Sequence, residues 1–219
     1  MATIYDVAAY AGVSPKTVSR VINGDAPVSD KTRAKVETAI AALGYIPSSA
    51  ARVMRSNRSD LVGLITGAIS RTGEHSGVHG LPDMFLIKGI QQKIREAGKT
   101  LMIADTDNRY EQIDPLVRTF MEHRAEGILY VTGSHREIVL PEMPNRCPMV
   151  LVNCFDAAGT PSVLPDDERG QYDLVRNIIR HGHRRIAYIT LQTGAEATRL
   201  RLAGYRRALG ESDMVFDPD

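Results

Sequence analysis

Long apolar runs are missing from this 219-residue chain; none approaches the ~20 residues that a membrane-spanning helix needs. The opening Met1-Ala2-Thr3-Ile4-Tyr5-Asp6 lacks the basic start and apolar stretch of a signal peptide. A soluble cytoplasmic protein is the expectation. Cysteine is scarce. Cys147 and Cys154 flank the apolar run Met149-Val150-Leu151-Val152 at a spacing that fits no zinc or redox motif, which makes them buried free thiols. Also absent are a nucleophile elbow, a P-loop, a paired-acid motif and a dinucleotide fingerprint. No catalytic residue, metal or cofactor is expected. With 43% hydrophobic and 24% charged residues, the chain is globular and long enough for one medium domain and a small one. Net charge, only +1, conceals an asymmetry: residues 1–60 hold 8 Lys/Arg against 5 Asp/Glu, and the remainder holds 19 against 21.

What is present begins with Ser14-Pro-Lys-Thr-Val-Ser-Arg-Val-Ile-Asn-Gly24. Serine caps a helix start, Pro15 suits the first helical position, and Gly24 suits the stop after Asn23. Val18, Val21 and Ile22 form one apolar stripe, which leaves Lys16, Thr17, Ser19, Arg20 and Asn23 on other faces. A short, anchored helix with a cationic polar face suits a DNA groove. Upstream, Thr3 and Asp6 have capping-box-like spacing and open a helix carrying Val7, Ala8 and Ala11 up to Gly12. Downstream, Val28-Ser29-Asp30-Lys31-Thr32 starts a third helix with Val36, Ile40 and Leu43, ending at Gly44. Helix, tight Gly turn, helix, loop and helix in under fifty residues is the helix-turn-helix layout, whose second helix reads the major groove. The cationic surplus lies at this end of the chain, where phosphates would use it.

Thr3-Ile4-Tyr5-Asp6-Val7-Ala8, Ala11-Gly12-Val13-Ser14, Thr17-Val18-Ser19-Arg20-Val21, Asn23-Gly24 and Leu43-Gly44-Tyr45 stand in order and in register. Together they resemble the lactose-repressor/galactose-repressor (LacI/GalR) family. The resemblance implies base-edge contacts from Pro15, Lys16 and Arg20, with Arg20 suited to a guanine. It places phosphate contacts on Thr3, Tyr5, Ser14, Thr17, Ser19, Asn23, Ser29 and Thr32, which position without specifying. The partner implied is a pseudo-palindromic double-stranded DNA operator bound by a homodimer. A bacterial, nucleoid-associated location follows.

After the break at Ile46-Pro47 comes Ser48 to Arg58, with helix formers and three arginines but too little apolar surface to hold a helix alone. In the family, the equivalent segment is a hinge helix that orders on the operator and wedges the minor groove. Residue by residue, the wedge falls on Met54, where the family usually has leucine, with Ala51 and Arg55 beside it; methionine can unstack a base step. An ordinary flexible linker is the alternative.

From Leu61, short apolar runs alternate with amphipathic helices. Strands are expected at Leu61–Ile65, Leu101–Ala104, Gly127–Val131, Val150–Val152 and Ile186–Thr190, and helices near Phe85–Ala97, Gln112–His123, Glu168–His181 and Ala195–Leu209. Continuous apolar strands separated by helices argue for parallel, doubly wound sheets covered on both faces, with ligands at the carboxyl ends of the strands. The resemblance implies a periplasmic-binding-protein-like effector core, matched by Glu126-Gly127-Ile128-Leu129, His181 to Ala187 and Arg199 to Tyr205. The expected domains are residues 1–46 for the headpiece, 47–60 for the hinge and linker, 61–158 for the N-terminal effector subdomain and 159–219 for a partial C-terminal one.

Arg201 matches the arginine that members use to hold sugar hydroxyls or an anionic corepressor, and Asp166 lies on the loop leading into the next helix, within reach of the cleft. His181 and His183 match a structural turn. Two departures stand out. The Gly67–Pro82 loop, with Arg71, Glu74, His75, Ser76 and His79, is longer than usual and suits a lid over the cleft rather than a metal site. The sequence also stops at Asp219, where members continue, so an incomplete second subdomain and a shortened or frameshifted product are expected. The function implied is an effector-controlled repressor of carbohydrate or related catabolic genes. Alternatives are a DNA-binding fragment without ligand response, or a sugar-binding or sugar-processing protein on the same core.

Overall fold

The computed structural model describes residues 2–24, 27–47, 58–67, 83–107, 109–141, 147–190 and 194–217. Two compact units, Met1–Ser59 and Asp60–Asp219, divide the chain.

The first unit is three helices, α1 (Ile4–Ala11), α2 (Pro15–Asn23) and α3 (Asp30–Leu43). Each begins on a hydroxyl cap. Thr3 and Asp6 form a full capping box, Ser14 Oγ accepts from the Thr17 N–H at 3.2 Å, and Ser29 Oγ accepts from the Thr32 N–H at 3.4 Å. A cap of this kind contributes about 1 kcal/mol. Between α1 and α2, Gly12 sits at φ 66°, a left-handed conformation that lets the chain turn within three residues. The helices close on Val7, Ala8, Ala11, Val18, Val21, Val36 and Ala39, with Ile22, Ile40, Leu43 and Tyr45 packed around them.

The second unit holds a five-stranded parallel sheet in the order β2-β1-β3-β4-β5. Its strands are β1 (Leu61–Thr66), β2 (Thr100–Asp105), β3 (Gly127–Glu137), β4 (Met149–Phe155) and β5 (Ser162–Val163). Helices α4 (Asp83–Glu96) and α5 (Ile113–Glu122) join them. Side chains alternate across the sheet. Ile65, Ile128, Tyr130 and Leu151 pack with Ile113, Val117 and Phe120 of α5, while Leu64 and Val131 pack with Ile87 of α4. Burying both faces is what makes the strands read as continuous apolar runs.

Helices α6 (Asp167–Arg180) and α7 (Glu196–Gly210) pack against each other through Val175, Tyr205, Ala208 and Leu209. Their backbones come close at Gly204, where a Cβ would stand 2.1 Å from the carbonyl oxygen of Glu168. One expectation is corrected: Ile186–Thr190 is not a strand. A parallel strand exists only if a neighbour supplies its ladder, and no described segment pairs with this one. Ile186 and Tyr188 still turn into the α6–α7 core, leaving Ile189 exposed.

Candidate functional site

In the first unit, the buried Val18 and Val21 pin one side of α2, and helical geometry turns the opposite side outward. Lys16 and Arg20 are exposed there, and Pro15 is half-exposed at the start of the helix. Among the residues expected at phosphates, Tyr5 is 71% exposed, with a free edge to offer. Others already have local work. Thr3, Ser14 and Ser29 are the caps of their helices. Ser14 and Thr17 share a hydroxyl contact of 2.9 Å, as do Ser29 and Thr32. Asn23 Nδ2 donates to the Ser19 carbonyl at 2.7 Å and lies 3.1 Å from the Ser19 hydroxyl. These groups fix the surface geometry of the headpiece, and each cap marks a helix N-terminus whose remaining N–H groups favour an anion. Ala51, Met54 and Arg55 lie outside the described residues, as do Arg71, Glu74, His75, Ser76 and His79.

In the second unit, the strand order reverses direction between β1 and β3, which in an open α/β sheet opens a crevice at the carboxyl ends of those strands. A cavity of about 300 Å³ is found there. Gly67 follows β1, Thr106, Arg109 and Tyr110 follow β2, and the end of β3 supplies Tyr130, Thr132, Ser134, Arg136 and Glu137. Two of the lining hydroxyl residues, Thr106 and Thr132, are themselves buried. Burial pushes the Tyr130 phenol above its usual pKa, against the opposing pull of Arg136, so Tyr130 meets a ligand as a neutral hydroxyl. Arg109 reaches Asp107 at 3.6 Å.

The end of β3 is irregular. Its register with β4 shifts between Val131 and Arg136, a bulge that re-aims side chains at the rim of a sheet. Asn153 stands at φ 60° and locks the bulge: its Nδ2 donates to the Thr132 carbonyl at 3.0 Å, and the Thr132 hydroxyl lies 2.9 Å from the Asn153 carbonyl. Backbone strain of this kind, held by buried hydrogen bonds, gathers where a fold builds a site.

Between Ser134 and Arg136, which face the cavity, His135 is buried. Its Nδ1 lies 2.8 Å from Oδ2 of Asp167, and Arg201 Nε donates to Oδ1 of the same carboxylate at 2.7 Å. Sequence reasoning singled out Asp166 and missed Asp167 and His135. Asp166 is exposed and caps α6, accepting from the Arg169 N–H at 3.0 Å. The next residue, one helical step on, is turned inward. An Asp-Asp doublet at a helix start was the available signal, since the two cannot share a face. Arg201 is held beside the end of β3 and does not itself line the cavity.

Cys154 is buried and Cys147 half-buried, both free, with burial raising both thiols. His181 ends α6, its Nδ1 2.8 Å from the Asn177 carbonyl. Among the described residues, no group of three or more His, Cys, Asp or Glu could hold a metal ion, and no helix is long and apolar enough to cross a membrane.

A helix-turn-helix unit followed by a doubly wound core with a cavity at its switch point defines a class: a DNA-binding headpiece joined to a periplasmic-binding-protein-like domain. The chain belongs to the LacI family, residues 3–48 matching bacterial regulatory proteins of the lacI family and residues 84–216 matching periplasmic binding proteins and the sugar binding domain of that family. It is 34% identical to the ribose operon repressor of Escherichia coli (strain K12) across 98% of this chain and 63% of that protein. It is 31% identical to the HTH-type transcriptional repressor PurR of Vibrio campbellii across 100% of this chain and 64% of that protein. The crystal structure of the lac repressor dimer bound to operator and the anti-inducer ONPF superposes with a TM-score of 0.72 at 26% identity, covering 98% of this chain and 63% of that one. The chain thus spans just under two thirds of the length of the relatives it matches.

Proposed function

We propose that this chain is a transcriptional repressor that binds a pseudo-palindromic operator as a homodimer and answers to a small-molecule effector. The observation that carries the reading is α2, docked by Val18 and Val21 with Lys16 and Arg20 exposed. Pro15, Lys16 and Arg20 then read base edges, while Tyr5 and the capped helix starts hold phosphates. Met54, flanked by Ala51 and Arg55, serves as the minor-groove wedge of the hinge. Family membership, the repressors among its relatives and a lac repressor bound to operator all support this reading.

The effector is a sugar or a similarly polar small molecule, taken between the cavity at the β1–β3 switch point and Arg201. A cavity of about 300 Å³ lined by hydroxyl, guanidinium and carboxylate groups suits a polyhydroxylated molecule. Ligand shifts the balance between two arrangements of the core and so orders or releases the hinge, a population shift with a coupling free energy of about 1–3 kcal/mol. The catabolic genes under control are those that handle the effector.

Selection of host genomic fragments on the purified chain at near-physiological salt tests this. Enrichment of one two-fold symmetric site is the expected result. Weak, sequence-independent retention would overturn the reading.

A further inference from the structure

We infer that Asp167, braced by His135, positions Arg201 and cancels its charge, so that Arg201 presents hydrogen-bond donors to neutral hydroxyl groups and not a free cation to an anionic one. The inference rests on the reading of Arg201 as an effector contact and goes further by assigning the chemistry it selects.

The geometry is specific. Asp167 has a side chain only 3% exposed, yet both of its oxygens are engaged, Oδ1 by Arg201 Nε at 2.7 Å and Oδ2 by His135 Nδ1 at 2.8 Å. A carboxylate only accepts, so Nδ1 of His135 carries the proton it shares. With both oxygens committed, the carboxylate cannot swing. The His135 side chain is 5% exposed and its ring meets Phe155 edge-on at 5.8 Å, which fixes the brace in turn.

Arg201 is anchored through Nε alone, and its side chain remains 38% exposed. Its two Nη groups make no hydrogen bond among the described residues and form a rigid fork of donors. An anion approaching that fork meets the carboxylate's repulsion as well as the guanidinium's attraction, so its net pull is weaker than that of an unpaired guanidinium. A sugar hydroxyl needs only the donors. An anionic group on the effector is therefore left to Arg136 on the cavity wall, since Arg109 is itself paired with Asp107.

The test uses the ¹⁵N-labelled full chain and reads the Arg201 Nε–H resonance, assigned by its loss in Arg201→Lys, with inorganic phosphate as probe. In the unmodified chain that proton should exchange with water about tenfold more slowly than those of exposed arginines and should not move with phosphate up to about 20 mM. In Asp167→Asn the protection should vanish and the signal should shift saturably with phosphate; Asp167→Glu should restore the insensitivity. If Asp167→Asn does not fold, His135→Asn should loosen the protection and leave the phosphate response absent. A phosphate response in the unmodified chain, or full protection in a folded Asp167→Asn, overturns the inference. Operator selection is run in parallel, so failure of DNA recognition with the Arg201 behaviour intact counts against the proposed function alone.

Discussion

Arg20 extends from a helix whose opposite side is fixed by Val18 and Val21, so its guanidinium reaches outward without an entropic cost from a loose helix. A bidentate pair to a guanine gives sequence preference, whereas a neutral hydroxyl on a phosphate gives affinity alone. Arg20→Ala should cost about 1–3 kcal/mol at the preferred site and relax selection at one base pair per half-site. Tyr5→Phe removes only an exposed hydroxyl, so it should weaken every sequence by the same factor. Titrating both variants against the selected operator and a version mutated at one base pair separates the two roles. Equal loss on both duplexes for Arg20→Ala would count against its assignment. The outward position of Arg20 was legible in the sequence because it depends on a local helical phase. Asp167 was only half legible: the Asp-Asp doublet could mark one carboxylate as turned inward, but its partners His135 and Arg201 lie 32 and 34 residues away, and no local pattern names them.

At the scale of elements, legibility follows how local the cause is. Helix limits came out within about two residues because capping side chains and terminal glycines act within one turn: Thr3, Ser14 and Ser29 at the starts, Gly12, Gly24 and Gly44 at the ends. Ile186–Thr190 failed for the opposite reason, since strand formation depends on a neighbour. Asp6 shows the local case in its pH dependence. Hydrogen bonds from the Thr3 side chain first and its backbone second hold the Asp6 carboxyl below its usual pKa. A group lowered on folding stabilises fully above its unfolded value and loses that contribution as pH falls through its folded value. Headpiece stability should therefore drop below the ordinary carboxylate range, near pH 4. In Asp6→Asn that part of the profile should flatten, as read by helical circular dichroism of residues 1–59 against pH. The α6–α7 contact gives a second element-scale outcome. At Gly204, a methyl group would meet the Glu168 carbonyl at 2.1 Å and the Tyr172 backbone nitrogen at 3.0 Å, and backbone atoms cannot step aside as side chains do. Gly204→Ala should destabilise the second unit by about 3 kcal/mol. The chain has no tryptophan, so tyrosine emission can follow the unfolding; Tyr188 and Tyr205 are stacked at 5.0 Å in that core. An unchanged urea midpoint would show that the helices separate at little cost.

Across the whole molecule, charge is divided as the labour is. Residues 1–60 carry 8 Lys/Arg against 5 Asp/Glu and the rest carries 19 against 21, so in the proposed complex the attraction for phosphates comes from the headpiece and hinge together. Each phosphate neutralised releases counterions, and the logarithm of the binding constant falls with the logarithm of salt by about 0.9 per contact. Two copies make twice the phosphate contacts of one, so a symmetric pair doubles the slope given by a single copy, which makes the slope a count of the copies engaged. Measured on the selected operator between low and physiological salt, the steeper value should appear, and cutting the operator to one half-site should return the shallower one. Residues 60–219 alone should show no salt-dependent binding. The same slope on the full operator and on the half-site would mean that single copies bind it and that the two-fold symmetric reading is wrong. A slope near zero would remove the headpiece as the DNA face altogether.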